Sequence, residues 1–277
     1  MQQFQTIRIE KEDQITTIVL NRPEKRNAMN PQMHFDMCTA LEELAHDPET
    51  RVLVLTGAGE SFCGGQDLKE FFLDIADDPV AKARANYASN RWRLQLLRFF
   101  PAPSIAMVNG YCFGGAFGLV AACDLAVAAE DATFGLSEIN WGIFPGSSLP
   151  KALSELVPFR DVMYYTLTGE TFDGRKASEI RFVNCAVPQA QLKETTWRIA
   201  KTLIEKDPAA LRTAKEVMKL ARDMNYEETL AWTEAKGKEL RLSTGHRWKK
   251  GVQQFKAGQY RPGMETYDWK ESKENKK

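Results

Sequence analysis

The strongest constraint on the fold is a short apolar run that recurs along the first half of the chain and ends each time at a turn signal. Arg51–Gly57, Ser104–Gly110 and Asp124–Glu130 share this pattern, and Ile15–Pro23 is a β-branched run that ends at a proline. Consecutive apolar residues in so short a segment predict strands buried on both faces, as in a parallel sheet. Helical stretches separate the runs, notably Pro79–Phe100. Strands that alternate with helices predict βαβ units and an α/β core.

The C-terminal part of the chain has a helical pattern instead. Its amphipathic or capped segments are Gln189–Lys206, Asp207–Met224, Asn225–Ser243 and Arg247–Lys256. Asp207 before Pro208 is a typical helix start, because aspartate caps free N–H groups and proline fits the first turn. We therefore predict an α/β core over residues 1–200 and a helical region over residues 201–277.

Composition excludes several classes of function. The chain has 37 Lys and Arg against 37 Asp and Glu, and this zero net charge gives no electrostatic reason to expect a nucleic-acid partner. Its five cysteines form no CxxC pair, its three histidines lie far apart, and it has no G-x-S-x-G motif. We predict no metal site and no Ser-His-Asp chemistry, which leaves carboxylates and backbone dipoles. Without a signal-peptide pattern or an apolar window of membrane length, the chain is expected to be cytoplasmic and away from membranes.

Two glycine-rich loops each follow a predicted strand and lead into a helical pattern. Cys112–Leu125 reads CFGGAFGLVAACDL and Gly57–Glu70 reads GAGESFCGGQDLKE, and neither has the spacing of a phosphate-binding loop. One interpretation of each loop alone is tight helix–strand packing. The other is that two such loops at the carboxyl ends of parallel strands aim two backbone N–H groups at one point. Two N–H donors on one oxygen form an oxyanion hole, which stabilises charge that develops on a carbonyl.

A third segment, FGLSEINWGIFPG at Phe134–Gly146, holds one carboxylate among apolar side chains. That carboxylate is Glu138. Burial raises the pKa of a carboxyl group and suits it to general acid–base catalysis. The alternative is an ordinary surface glutamate in a loop.

Together these segments resemble the crotonase (enoyl-CoA hydratase/isomerase) superfamily. The stretches LNRPEKRNAM, GAGESFCGGQDLKE, AMVNGYCFGGAFG and ACDLAVAAEDATFGLSEINWGI match its motifs in order and spacing, and the resemblance runs from about Ile9 to Pro262. The resemblance implies an α/β core built as a spiral of ββα turns, with a C-terminal helical trimerisation region. It also implies an acyl-CoA thioester substrate, no further cofactor, and assembly as a homotrimer or homohexamer.

The resemblance assigns roles to individual residues. The N–H groups of Gln66 and Gly115 correspond to the oxyanion hole, and Glu138 corresponds to a catalytic glutamate. Residues expected along the CoA path are Lys25, Arg26, Ala28, Asp67 and Leu68, with Lys256 as a candidate for CoA phosphates across a trimer.

One departure narrows the chemistry. Typical enoyl-CoA hydratases carry a second glutamate three residues after the oxyanion-hole glycine, and this chain has Gly118 there. Members that use one glutamate include isomerases and the hydroxycinnamoyl-CoA hydratase-lyases. The stretches DLKEFF, FGLSEINWGI and YRPGM resemble the hydratase-lyases more closely. Those enzymes hydrate feruloyl- or coumaroyl-CoA and split the product by a retro-aldol step.

The acyl pocket implied by this subfamily departs from its pattern at several positions. Gly118 replaces a serine, Phe71 replaces a tyrosine that contacts the substrate phenol, and Glu234 falls where a second such tyrosine stands, near Trp232. Glu234 either supplies a new polar contact or is a solvated helix residue. Ser137 and Trp141 are retained beside Glu138, and for Trp141 a place in the core is the alternative.

Three functional hypotheses follow. The first is an aryl-enoyl-CoA hydratase or hydratase-lyase that uses Glu138 over an oxyanion hole of Gln66 and Gly115. The second is another reaction of the superfamily, either enoyl-CoA isomerisation or hydration of an aliphatic enoyl-CoA. The third is a catalytically silent CoA-binding protein, which the glycine at position 118 motivates.

Overall fold

A computed structural model describes residues 4–261 and 263–270, so Pro262 lies outside the described residues. The chain divides into two compact units, Met1–Ala200 and Lys201–Lys277. The strands are β1 Ile7–Glu12, β2 Ile15–Leu20, β3 Val52–Gly57, β4 Ser61–Cys63, β5 Ser104–Val108, β6 Tyr111–Phe113, β7 Leu125–Ala129, β8 Thr133–Gly135, β9 Thr171–Asp173 and β10 Cys185–Val187. The helices are α1 Pro31–Ala45, α2 Pro79–Arg91, α3 Phe117–Ala122, α4 Leu149–Leu156, α5 Phe159–Thr168, α6 Gly174–Glu179, α7 Leu192–Ile204, α8 Pro208–Ala221, α9 Tyr226–Ser243 and α10 Trp248–Lys256.

The predicted α/β core is confirmed in the first unit. One sheet has the strand order β1-β2-β3-β5-β7-β10, and the four apolar runs of the sequence are its central strands β2, β3, β5 and β7. Every residue of β2 and β3 is buried. The pairs β2–β3, β3–β5 and β5–β7 are parallel, whereas β1 and β2 form an antiparallel hairpin. Burial on both faces explains why these strands are apolar without alternation.

A second, smaller sheet positions the candidate site. Its order is β4-β6-β8-β9, the pairs β4–β6 and β6–β8 are parallel, and each of these strands has three residues. The chain therefore repeats a unit of a long strand, a short strand and a helical segment. Because β4, β6 and β8 are neighbouring parallel strands, their carboxyl ends lie at one edge of the sheet. The three segments singled out in the sequence leave the sheet at that edge.

A cluster of aromatic rings packs beneath two of these segments. Phe117, the first residue of α3, stacks on Phe182 with ring centroids 4.9 Å apart, and Phe134 of β8 stacks on Phe172 at 5.4 Å. All four rings are at least nine-tenths buried. Burial of such a side chain contributes about 1.5–3 kcal/mol, so the cluster gives the loops after β6 and β8 a rigid base.

Pro79–Phe100, expected to be one helical stretch, contains two kinds of helix. The α-helix α2 ends at Arg91 and continues as a π-helical turn over Trp92–Leu97. A π turn rotates the side chains that follow it, and such turns occur often at functional sites. Here Trp92 and Arg93 are both buried.

The second unit contains α8, α9 and α10. The predicted start at Asp207 is confirmed, since its carboxylate accepts a hydrogen bond from the N–H of Ala209 at 2.9 Å. Asn225 and Glu228 cap α9 reciprocally, with bonds of 2.9 and 3.0 Å. Across residues 4–261 and 263–270, no helix combines the length and the apolar character needed to cross a membrane.

Candidate active site

The loops after β4, β6 and β8 meet at the edge of the small sheet. A Cβ placed on Gly65 would lie 2.8 Å from the carbonyl oxygen of Phe113 and 3.5 Å from the nitrogen of Gly115. A Cβ placed on Gly114 would lie 3.2 Å from Oε1 of Glu138. Both glycines have positive φ, +90° at Gly65 and +51° at Gly114, so side chains are excluded by conformation as well as by space. The three segments therefore form one site.

A single parallel β-bridge between Met29 and Gln66 fixes the direction of the backbone N–H of Gln66. Met29 donates its N–H to the carbonyl of Gly65 at 2.8 Å and accepts the N–H of Asp67 at 2.9 Å. In a parallel bridge the bonds are made by the two neighbours of the bridged residue, here Gly65 and Asp67. Gln66, which stands between them, therefore directs its own N–H away from Met29. Within the described residues, no acceptor pairs with the N–H of Gln66 or of Gly115. The two loops thus present two unpaired donors, as an oxyanion hole requires.

Glu138 begins a short 3₁₀ turn after β8, and its carboxylate is not a solvated group. The residue is half-buried, and Oε2 is buried with no hydrogen-bond partner among the described residues. Burial raises the pKa of this carboxyl above its ordinary value. A carboxyl that is poorly solvated, free of ion pairs and close to Gly114 is suited to accept and return a proton.

A buried polar network, which sequence reasoning missed, holds the side chain of Gln66. Its Oε1 lies 3.0 Å from Nε2 of His34, and its Nε2 donates to Oγ of Ser89 at 3.2 Å. Nδ1 of His34 accepts the indole N–H of Trp92 at 2.9 Å, so Nε2 carries the proton and donates to Gln66. Burial lowers the pKa of His34 to about 3, with Arg93 adding a smaller electrostatic effect. His34 is therefore neutral and orients the loop.

The titration of His34 gives a stability prediction. The folded pKa of about 3 lies below the ordinary histidine pKa of 6.5, so folding disfavours the protonated form of His34. The contribution of neutral His34 to the free energy of unfolding is complete above the unfolded pKa. As pH falls from there toward the folded pKa, this contribution decreases by about 1.4 kcal/mol per pH unit. We expect urea unfolding to show that, below pH 6.5, the free energy of unfolding decreases more steeply with falling pH in the parent than in a His34→Gln variant. Equal pH slopes in the two proteins would contradict this interpretation.

A second buried cluster fixes the loop after β4 from its other side. Arg22 bonds to the carboxylate of Asp67 at 3.0 Å and to the carbonyl of Ala28 at 2.7 Å, and it also pairs with Glu70. Asp67 additionally accepts the N–H groups of Lys69 and Glu70 and so caps the π-helical turn Leu68–Leu73. Its carboxylate is therefore structural, and its contribution to the CoA path stays a prediction.

The other predicted CoA contacts lie on or beside the same loop system. Lys25 and Arg26 are exposed, Ala28 is half-buried, and 49% of Leu68 is exposed. The guanidinium of Arg26 lies 4.9 Å from the centre of the Tyr111 ring. Two cations at an open edge suit phosphate binding, although their role toward CoA stays a prediction.

The predicted acyl-pocket residues differ in environment. Phe71 is buried and meets His34 edge-on at 5.3 Å, which ties it to the network of Gln66. Ser137 is half-buried directly before Glu138. Trp141 is 66% exposed, so its alternative interpretation as a core residue is wrong.

Three predicted residues belong to the second unit. Glu234 is exposed on α9, and Trp232 on the same helix has a buried indole N–H without a described partner. Lys256 is exposed at the last position of α10. Their roles toward substrate stay predictions.

Comparisons with known proteins agree with this arrangement. The family model described as enoyl-CoA hydratase/isomerase matches residues 10–260. A hydroxycinnamoyl-CoA hydratase-lyase of Pseudomonas fluorescens is 45% identical over 95% of this chain and 97% of its own length. An (E)-benzylidenesuccinyl-CoA hydratase of Thauera aromatica is 29% identical over 82% of this chain and 87% of its own. The crystal structure of an enoyl-CoA hydratase of Mycobacterium smegmatis superposes with a TM-score of 0.85 at 27% identity, covering 96% of this chain and 99% of that one.

Proposed function

The chain belongs to the enoyl-CoA hydratase/isomerase family, and from this premise we propose that it hydrates an aryl-enoyl-CoA and cleaves the product to an aromatic aldehyde and acetyl-CoA. One observation carries the proposal. A half-buried carboxylate, Glu138, lies beside two loops that each present an unpaired N–H donor, and a glycine occupies position 118 where a second acid would stand. The 45% identity to a hydroxycinnamoyl-CoA hydratase-lyase supports the substrate class.

Hydration follows from the two donors and the carboxylate. The thioester oxygen accepts hydrogen bonds from the N–H groups of Gln66 and Gly115, which draws electrons from the β-carbon. Glu138 removes a proton from water as the hydroxyl adds to the β-carbon, and the oxyanion hole holds the enolate that forms. Glu138 then returns the proton to the α-carbon. One carboxylate thus acts first as base and then as acid.

Cleavage uses the same groups, and Glu138 again acts first as base and then as acid. Glu138 removes the proton of the β-hydroxyl, the bond between the α- and β-carbons breaks, and the electron pair moves into the thioester enolate. The β-carbon leaves as the aldehyde. Protonation of the enolate by Glu138 gives acetyl-CoA, so water and enoyl-CoA balance the two products. No step calls for a cofactor besides the CoA thioester itself.

We propose further that the chain works as a homotrimer or homohexamer in the cytoplasm, with residues 201–277 as the oligomerisation region. Large apolar side chains are exposed on the first unit, and an oligomer would cover them. The most exposed of these near the site and on α5 are Trp141 at 66%, Phe144 at 76%, Phe159 at 65% and Leu167 at 62%.

Incubation with feruloyl-CoA and coumaroyl-CoA, followed by mass spectrometry, tests the reaction. The expected products are the β-hydroxy thioester, the aromatic aldehyde and acetyl-CoA. Release of neither aldehyde nor hydrated thioester refutes the proposal. A 3-enoyl-CoA and crotonyl-CoA in the same assay test for isomerisation and aliphatic hydration, which one carboxylate over an oxyanion hole also permits.

A further inference from the structure

Arg93 is a buried cation that the proposed reaction does not use. It lies on the π-helical turn Trp92–Leu97 and is 8% exposed. Its Nε donates to the carbonyl of Ser89 at 2.9 Å, and its Nη2 donates to the hydroxyl of Ser89 at 2.7 Å. Within residues 4–261 and 263–270, no carboxylate pairs with Arg93 and no acceptor bonds to its Nη1. The side chain is held in place, and one donor group is left over.

The spare donor faces the space beside the oxyanion hole. A Cβ placed on Gly115 would lie 3.8 Å from Nη1, and a Cβ placed on Gly118 would lie 4.0 Å from it. At Gly118 no other heavy atom comes within 4 Å, so the volume of the absent side chain is open. Both glycines keep some exposed surface. A ligand atom that occupies the open space at Gly118 therefore comes within reach of Nη1 of Arg93.

The charge of the buried Arg93 guanidinium is uncompensated, which favours the binding of an anion beside it. A buried ion loses much of its solvation free energy, and this loss is offset only when the ion is paired. Burial lowers the pKa of Arg93, yet a guanidinium starts so far above neutrality that it keeps its proton. Ser89 supplies neutral oxygens only. An anion that arrives with the ligand would offset the cost and use the free donor.

We propose that Arg93 is a specificity-determining residue that binds an anionic oxygen on the acyl group, so that preferred substrates are acyl-CoA thioesters carrying a carboxylate or a phenolate. This inference rests on the proposed binding of an acyl-CoA at Gln66 and Gly115. The selectivity arises because an isosteric neutral acyl group leaves Nη1 without a partner.

Binding of saturated acyl-CoA thioesters, which cannot be hydrated, tests the proposal by calorimetry. Succinyl-CoA is compared with butyryl-CoA for the carboxylate, and 3-(4-hydroxyphenyl)propionyl-CoA with 3-phenylpropionyl-CoA for the phenolate, whose proton passes to the buffer on binding. We expect the anionic member of one pair to bind about 10- to 100-fold more tightly, as for a hydrogen bond to a charged group. The pair that shows the preference identifies the source of the anionic oxygen.

Three variants assign the preference to Arg93. Arg93→Met is expected to remove the preference for the anionic ligand, while its affinity for butyryl-CoA stays within about twofold. The control Arg91→Met, which alters an arginine paired with Glu42 at the surface, is expected to keep the preference. Gly118→Glu leaves Arg93 in place but supplies an internal carboxylate, and it should also remove the preference. This second variant decides the matter if Arg93→Met unfolds.

The proposal is overturned if neither pair shows a preference in the parent, if folded Arg93→Met retains the preference, or, where Arg93→Met unfolds, if Gly118→Glu retains it. These results are independent of turnover. A protein that forms neither aldehyde nor hydrated thioester from feruloyl-CoA but discriminates between the saturated thioesters refutes the proposed reaction and supports the role of Arg93.

Discussion

Replacement of Glu138 by glutamine is expected to lower kcat by about 10²- to 10⁴-fold, with little change in the affinity for saturated acyl-CoA thioesters. Glutamine fills the same volume beside Gly114 but can neither take a proton from water nor return one to the α-carbon. The loss should be large because Gly118 offers no second acid to take over. Steady-state kinetics with coumaroyl-CoA, together with calorimetric binding, separate the two effects.

The pH profile provides a second readout of Glu138. Burial raises the pKa of its carboxyl, and the ionised form is the base, so kcat/KM of the parent should rise as pH increases through a pKa above the ordinary glutamate value. This rise of kcat/KM with pH should be absent in Glu138→Gln. Glu179→Gln, at an exposed glutamate of α6 that pairs with Lys176, is the matched control and should keep both rate and profile. Full activity of Glu138→Gln would remove Glu138 from the mechanism.

The central sheet was predictable because its strands are apolar on both faces. The runs that became β2, β3, β5 and β7 can be recognised from the sequence, because short runs of consecutive apolar or β-branched residues are typical of strands buried on both faces. Strands β4, β6 and β8 were not predicted, because three residues carry no periodicity. Yet these short strands place Gln66, Gly115 and Glu138 at one edge.

The support around the site could not be predicted for a different reason. His34, Gln66 and Arg93 lie on α1, on the loop after β4 and on the π-helical turn. The bonds of Gln66 to His34 and to Ser89 span 32 and 23 positions in sequence, and Arg93 joins the network through Ser89. Polar residues that bond over such separations leave no local pattern. A π turn in place of regular helix also changes which residues face inward, and Arg93, whose Nη1 lies 4.0 Å from a Cβ placed on Gly118, stands on that turn.

Replacement of Gly65 by alanine is expected to lower kcat by about 10²- to 10³-fold, as for the loss of an oxyanion-hole donor. The φ of Gly65 is +90°, and an added Cβ would lie 2.8 Å from the carbonyl oxygen of Phe113 and 3.5 Å from the nitrogen of Gly115. These backbone atoms of Phe113 and Gly115 cannot move aside as the end of a flexible side chain could. The loops after β4 and β6 must therefore separate. Their separation moves the two N–H donors off a common point, while Glu138 stays chemically intact.

Gly59→Ala is the matched control for Gly65→Ala. Gly59 also has positive φ, +69°, but the nearest atom to its added Cβ is Cβ of Pro23 at 3.4 Å. Both variants should therefore lose about 1–2 kcal/mol of stability from the left-handed conformation. Only Gly65→Ala should lose turnover when the rates are compared well below both unfolding temperatures. Equal rates in the two variants would show that the N–H groups of Gln66 and Gly115 do not act on one oxygen.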